Sequence, residues 1–145
     1  DADACPQAIR EILLRASERT QTPLYFVANH QIPLPKRDLV HFTQVQKGFD
    51  VADNVIAQQA EVGDIVVTQD IPLAADVVEK GVKAINPRGE LYTAANIRAR
   101  LSMRNFMEDL RNSGVQTGGP KAFGAQEKQA FANTLDRLLV AKTKR

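Results

Sequence analysis

The chain has 145 residues, 43% of them apolar and 25% charged, with a net charge of +2. That length suits one domain with a genuine core, and the balance excludes a disordered or collagen-like chain. One cysteine excludes an internal disulfide, no run of roughly 18 apolar residues offers a membrane span, and no signal peptide is visible. These features point to a cytoplasmic protein without membrane association.

Pro6 suits the first turn of a helix, and Ile9, Ile12, Leu13 and Ala16 recur at helical spacing, so residues 6–19 form the first expected helix. Pro23 to Asn29 is rich in strand formers and reads as a buried strand. A loop with Pro33 and Pro35 leads to a second strand over residues 40–45. Residues 50–60 are helical in composition. A short apolar strand is expected over residues 64–69, and Asp70 is well placed to cap the helix that ends at Gly81. Residues 82–85 give a further strand, closed by Asn86-Pro-Arg-Gly89. This alternation argues for right-handed crossovers and a parallel sheet.

The remainder is helical: residues 94–112, with Met103, Met107 and Leu110 on one face, and residues 126–142, with Phe131, Leu135, Leu138 and Leu139 as a stripe. A Gly- and Pro-bearing linker from Ser113 to Ala125 joins them. The expected architecture is one α/β domain: a parallel-sheet core over residues 1–90, with a helical extension, 91–145, packed on it. A parallel sheet also calls for an apolar strand ahead of Asp1, and the expectation is that such a strand precedes the sequence given.

Ligands bind beyond the carboxyl ends of parallel strands. Asp1 and Asp3 lie at one expected strand-to-helix turn and Asp70 at another. Asp50 and Asp53 lie three apart at a helix start, where Asp50 reads as a cap. Clustered carboxylates raise each other's pKa unless a cation neutralises them, and hard cations such as Mg²⁺ take carboxylate oxygens. Cys5, beside these acids, reads as a small buried thiol, and His30 and His41 are too few for a metal site. Phe49 and Phe123 read as core residues. Charge is unevenly spread: residues 1–70 carry a balance of −4 and residues 71–145 one of +6. A basic half attracts polyanions. Arg100, Arg104 and Arg111 share a helix face, and Arg88 and Lys121 lie in expected loops, so these five are candidates for phosphate contact.

Four segments carry a resemblance. Asp1-Ala-Asp-Ala-Cys-Pro6, Gly48-Phe-Asp-Val-Ala-Asp53, Val66-Val-Thr-Gln-Asp-Ile-Pro-Leu-Ala74 and Ile85-Asn-Pro-Arg-Gly89 resemble the bacterial YaiI/YqxD family, also called UPF0178 or DUF188. Gly118-Gly-Pro120 and residues 129–139 are similar to its C-terminal signature, so the resemblance spans the chain. That family is grouped with PIN-like domains, many of them Mg²⁺- or Mn²⁺-dependent ribonucleases. The resemblance implies a three-layer PIN-like fold, a central parallel sheet with helices on both sides, and an acidic site of Asp1, Asp3, Asp53 and Asp70, with the metal on Asp1, Asp3 and Asp70. Thr68 and Asn86 would support the pocket. It also implies RNA or single-stranded DNA as partner and phosphodiester hydrolysis as reaction. Asn86 stands where a fourth acid is common, with Glu90 a displaced substitute, so a non-catalytic binding module is the alternative. Asp1-x-Asp3 also resembles the nucleophile motif of haloacid dehalogenase-like phosphatases, though the expected later acidic pair is missing.

Overall fold

A computed structural model describes residues 5–48, 51–112 and 123–143. It is a mixed α/β fold of five helices and five short strands, in the order α1 (Gln7–Thr20), β1 (Leu24–Ala28), β2 (Val40–Gln44), α2 (Val51–Gln59), β3 (Ile65–Val67), α3 (Ile71–Glu79), β4 (Lys83–Ile85), β5 (Leu91–Tyr92), α4 (Ala94–Asn112) and α5 (Ala125–Thr143). Each element expected from the sequence is present within a few residues. The exception is β5, a two-residue strand too short for any periodicity to announce.

The strands form two small sheets. β1 and β2 pair in parallel, with Leu24 opposite Val40 and Ala28 opposite Gln44. β3 and β4 pair in parallel, and β5 folds back antiparallel on β4 through the turn at Asn86–Glu90. The expected single central sheet is thus described as two pieces, one with an antiparallel edge.

Both pieces nevertheless lie in one layer, because the same two apolar clusters sandwich them. Along β1, Phe26 and Ala28 enter one cluster and Val27 the other. Along β3, Val67 and Val66 divide in the same way, as do Ile85 and Ala84 along β4. Successive side chains of a strand point to opposite faces, so apolar residues at successive positions mark strands covered on both sides. The first cluster is completed by Ile9, Leu13 and Ala16 of α1 and by Phe131, Leu135 and Leu139 of α5. The second takes Ile56 of α2, Leu73, Ala74 and Val77 of α3, and Ile97 of α4. The layers are therefore α1 and α5, then strands, then α2, α3 and α4.

Along the expected face of α4, Met107 and Leu110 are half-buried. Ile97 is buried, but Met103 and Phe106 are more than half exposed. Among the described residues, no helix is long and apolar enough to cross a membrane.

Candidate functional site

The best-defined polar cluster lies at the carboxyl ends of β3 and β4. β3 stops at Val67, and the chain turns into α3 through Thr68-Gln-Asp70. The backbone N–H of Thr68 still donates to the Ile85 carbonyl at 3.0 Å, holding the turn to β4. The Thr68 side chain is fully buried, and its Oγ1 accepts from the Asp70 N–H at 3.0 Å. Asp70 is the N-cap of α3: its Oδ1 accepts from the Leu73 N–H at 2.8 Å, and Pro72 follows within the first turn. A capping carboxylate satisfies an otherwise orphaned helix donor and sits at the positive end of the helix dipole. Asp70 is half-buried, so the cap fixes its position without sealing it from water.

Asn86 extends the cluster from the end of β4. Its Oδ1 accepts from the N–H groups of Arg88 (2.9 Å) and Glu90 (3.1 Å), while its Nδ2 lies 3.4 Å from Tyr92 Oη as donor. One amide thus organises the whole turn into β5. Tyr92 is a site residue that sequence reasoning missed, since nothing in a two-residue strand flags it. It is buried, and burial raises its pKa above the ordinary tyrosine value. The Asn86 hydrogen bond lowers it, and the negative charge of Asp70 raises it again.

The structure thus brings Thr68, Asp70 and Asn86 together and adds Tyr92. Asp53 is half-buried in the first turn of α2, the helix that leaves the carboxyl end of β2 and packs on α3. Asp1 and Asp3 lie outside the described residues, as do Phe49, Asp50, Lys121 and the Gly118-Gly-Pro120 segment. Among the described residues, no three His, Cys, Asp or Glu side chains gather as a metal site.

The candidate phosphate contacts have acidic neighbours. Arg100 pairs with Glu90, the displaced substitute for a fourth acid. Arg88 lies 3.6 Å from Glu127 of α5, with its guanidinium 6.0 Å from the centre of the Phe123 ring. The side chains of Arg104 and Arg111 lie outside the described residues. Cys5 is buried, and burial pushes its thiol pKa up, partly offset by Arg10. It is an inert thiol as placed. His30 is exposed just beyond β1, with Nδ1 3.3 Å from Asn29 Oδ1.

Gly89 fixes how the turn meets the helical extension. Its φ is +88°, and a Cβ there would stand 2.5 Å from the backbone carbon of Ala130 in α5. The Thr134 hydroxyl donates to the Gly89 carbonyl at 2.7 Å. Only glycine permits both the left-handed backbone and so close an approach.

The family model described as "Uncharacterized BCR, YaiI/YqxD family" (DUF188) matches residues 1–141. A UPF0178 protein of Psychromonas ingrahamii is 63% identical over 139 residues, covering 96% of this chain and 92% of its own length. A UPF0178 protein of Vibrio cholerae is 58% identical over 143 residues, covering 99% and 96%. One of Alkalilimnicola ehrlichii is 58% identical over 141 residues, covering 97% and 95%. No solved structure matches.

Proposed function

The chain belongs to the YaiI/YqxD family, DUF188, and on that premise we propose that it is a divalent-metal-dependent phosphodiesterase acting on RNA. The observation that carries this reading is Asp70: a carboxylate fixed at a strand's carboxyl end by its own helix cap and the buried Thr68 hydroxyl. Fixed, water-accessible carboxylates at such positions are what hydrolytic metal sites use.

The donor chemistry fits a hard cation only in part. Asp70 supplies carboxylate oxygen, and the resemblance to PIN-like domains assigns Asp1 and Asp3 beside it, with Asp53 as a further acid. A divalent cation such as Mg²⁺ or Mn²⁺, held by these acids, would supply a water of lowered pKa and neutralise charge developing on the phosphate. The chain's own part is positional. Thr68 holds the Asp70 backbone, the α3 cap holds one carboxylate oxygen, and Asn86 keeps Tyr92 in place. Tyr92, whose hydroxyl oxygen accepts from Asn86 Nδ2, is the buried phenol at this end of the sheet. Arg88 and Arg100 lie near the β4–β5 turn, where each would exchange its glutamate partner for a phosphate of a polyanion backbone.

The deciding experiment is Mn²⁺-dependent cleavage of mixed RNA and single-stranded DNA by the wild type and Asp70→Asn. Loss of cleavage in the variant supports the reading, and equal cleavage overturns it. One observation favours a second reading, a non-catalytic RNA-binding module: Asn86 replaces the fourth acid, and its amide is engaged by the turn. RNA binding that persists without any calorimetric Mn²⁺ binding selects that module.

A further inference from the structure

α4 starts from the edge of the molecule that carries the candidate site. Thr93 and Asn96 cap it reciprocally: the Asn96 N–H donates to Thr93 Oγ1 at 3.1 Å, and the Thr93 N–H donates to Asn96 Oδ1 at 2.8 Å. The Asn96 amide also donates to the Leu91 carbonyl of β5 at 2.9 Å. Arg100, about one turn on, pairs with Glu90, whose own N–H donates to Asn86. The first half of α4 is therefore held in a fixed relation to Asn86 and the end of β4.

One face of this helix is packed, with Ile97 buried in the cluster that contains Leu73, Ala74 and Val77 of α3. The opposite face is open. Ala99, Met103, Phe106 and Leu110 recur at spacings of four, three and four, so they form one stripe roughly opposite Ile97. Ala95 and Ser102 border it, and it carries no charge. Met103 is 59% exposed and Phe106 57%. Exposed Arg98 lies on one flank and Arg100 on the other.

Size and charge decide what such a stripe takes. From Ala99 to Leu110 it is about 16 Å long and about 10 Å wide, on the order of 160 Å². A stable pair of proteins covers about 800 Å² on each partner, so this stripe alone is too small to hold a second copy. An anionic lipid surface calls for a polar face rich in cations along the whole helix, and Asp109 is exposed near its far end. A single-stranded nucleic acid needs an aromatic or soft apolar surface for a base and guanidinium groups for the neighbouring phosphates. Both are here, in the half of the chain whose charge balance is +6.

We propose that this stripe grips a single-stranded nucleic acid as it leaves the carboxyl ends of β3 and β4. A base stacks on Phe106 beside Met103, and Arg98 and Arg100 take flanking phosphates, Arg100 releasing Glu90 to do so. Stacking reads no base edge, so the grip tolerates any sequence and prefers strands whose bases are unpaired. The inference rests on the reading that this edge meets RNA, and is independent of whether the RNA is cleaved there.

The test is fluorescence anisotropy of a labelled oligouridylate, alone and in duplex, with EDTA present so that no metal-dependent step contributes. Phe106→Ala is expected to weaken single-strand binding roughly tenfold, and Phe106→Tyr to retain it. Arg100→Gln should lower the salt dependence by about one phosphate contact. Val62→Ala, which trims a comparably exposed side chain ahead of β3, should bind as wild type does. Unchanged binding by Phe106→Ala overturns the proposal, as does duplex binding as tight as single-strand binding, and neither result touches the Asp70→Asn cleavage test. The tenfold loss in a protein that shows no Mn²⁺-dependent cleavage sustains the grip and removes only the hydrolysis. Three further results overturn the grip: a melting temperature of Phe106→Ala several degrees below wild type, because the protein itself would then cover this face; a wild-type dimer in light scattering that Phe106→Ala dissociates; and Phe106-dependent binding to phosphatidylglycerol vesicles.

Discussion

Replacing Asp70 by Asn keeps an oxygen acceptor at the amino end of α3, whereas Ala removes it. Asn and Asp cap about equally well, and an N-cap to Ala change costs about 1 kcal/mol. Chemical denaturation should therefore leave Asp70→Asn near wild type and show Asp70→Ala about 1 kcal/mol less stable. On the proposed function, both lose Mn²⁺-dependent cleavage. Gly89→Ala meets two penalties at once, a φ of +88° and the α5 backbone at 2.5 Å. It should cost more than the roughly 1–3 kcal/mol of a strained backbone alone, read as a fall in denaturation midpoint. Of these two residues, Asp70 was legible in the sequence, because an acid between an apolar strand and Ile-Pro-Leu-Ala declares its cap. The demand on Gly89 was not, because it comes from a helix more than 35 residues away. Tyr92 was equally hidden: its role depends on Asn86, which sequence order does not place beside it.

Each helix is tied to the strand layer by a few large side chains, and α5 shows this most plainly. Phe131 is completely buried in the cluster it shares with α1 and β1. Phe131→Ala should cost about 3–5 kcal/mol by thermal or chemical denaturation, the usual range for emptying a buried aromatic site. The Arg88–Glu127 pair between the turn and α5 is partly exposed. Its loss, in Glu127→Gln, should cost no more than about 1 kcal/mol. Packing, not charge, decides where α5 sits. The elements were legible because each helix carries one apolar stripe and each main strand a short apolar run. The exposure of Met103 was not legible, because an apolar stripe does not state how much of it a neighbour covers.

For the molecule as a whole, pH acts through two buried acids, Tyr92 and Cys5, whose pKa values burial raises. Both stay neutral in the folded state where the unfolded chain would ionise them. Their contribution is fully present below the unfolded pKa values and is lost as pH rises through the folded ones. Stability should thus fall steadily through the alkaline range above about pH 8.5, where free cysteine begins to ionise. Melting temperatures across that range check this, and Cys5→Ala with Tyr92→Phe should flatten the decline. The α/β class with parallel pairing was legible from alternation, and the three layers only from the family resemblance. Its division into two described sheets was not, because strand pairing follows from what fills the space between neighbours.

The contact of Gly89 with Ala130 also has a consequence in time. The turn after β4 can reach its final surroundings only when α5 has been synthesised and folded against it. The cluster shared by α1 and α5 waits for the same event, since residues more than 100 positions apart complete it. Closing so long a loop slows folding. On the ribosome, the α2–α3 side of the molecule can assemble early, while the α1 side stays open to chaperones until the tail emerges.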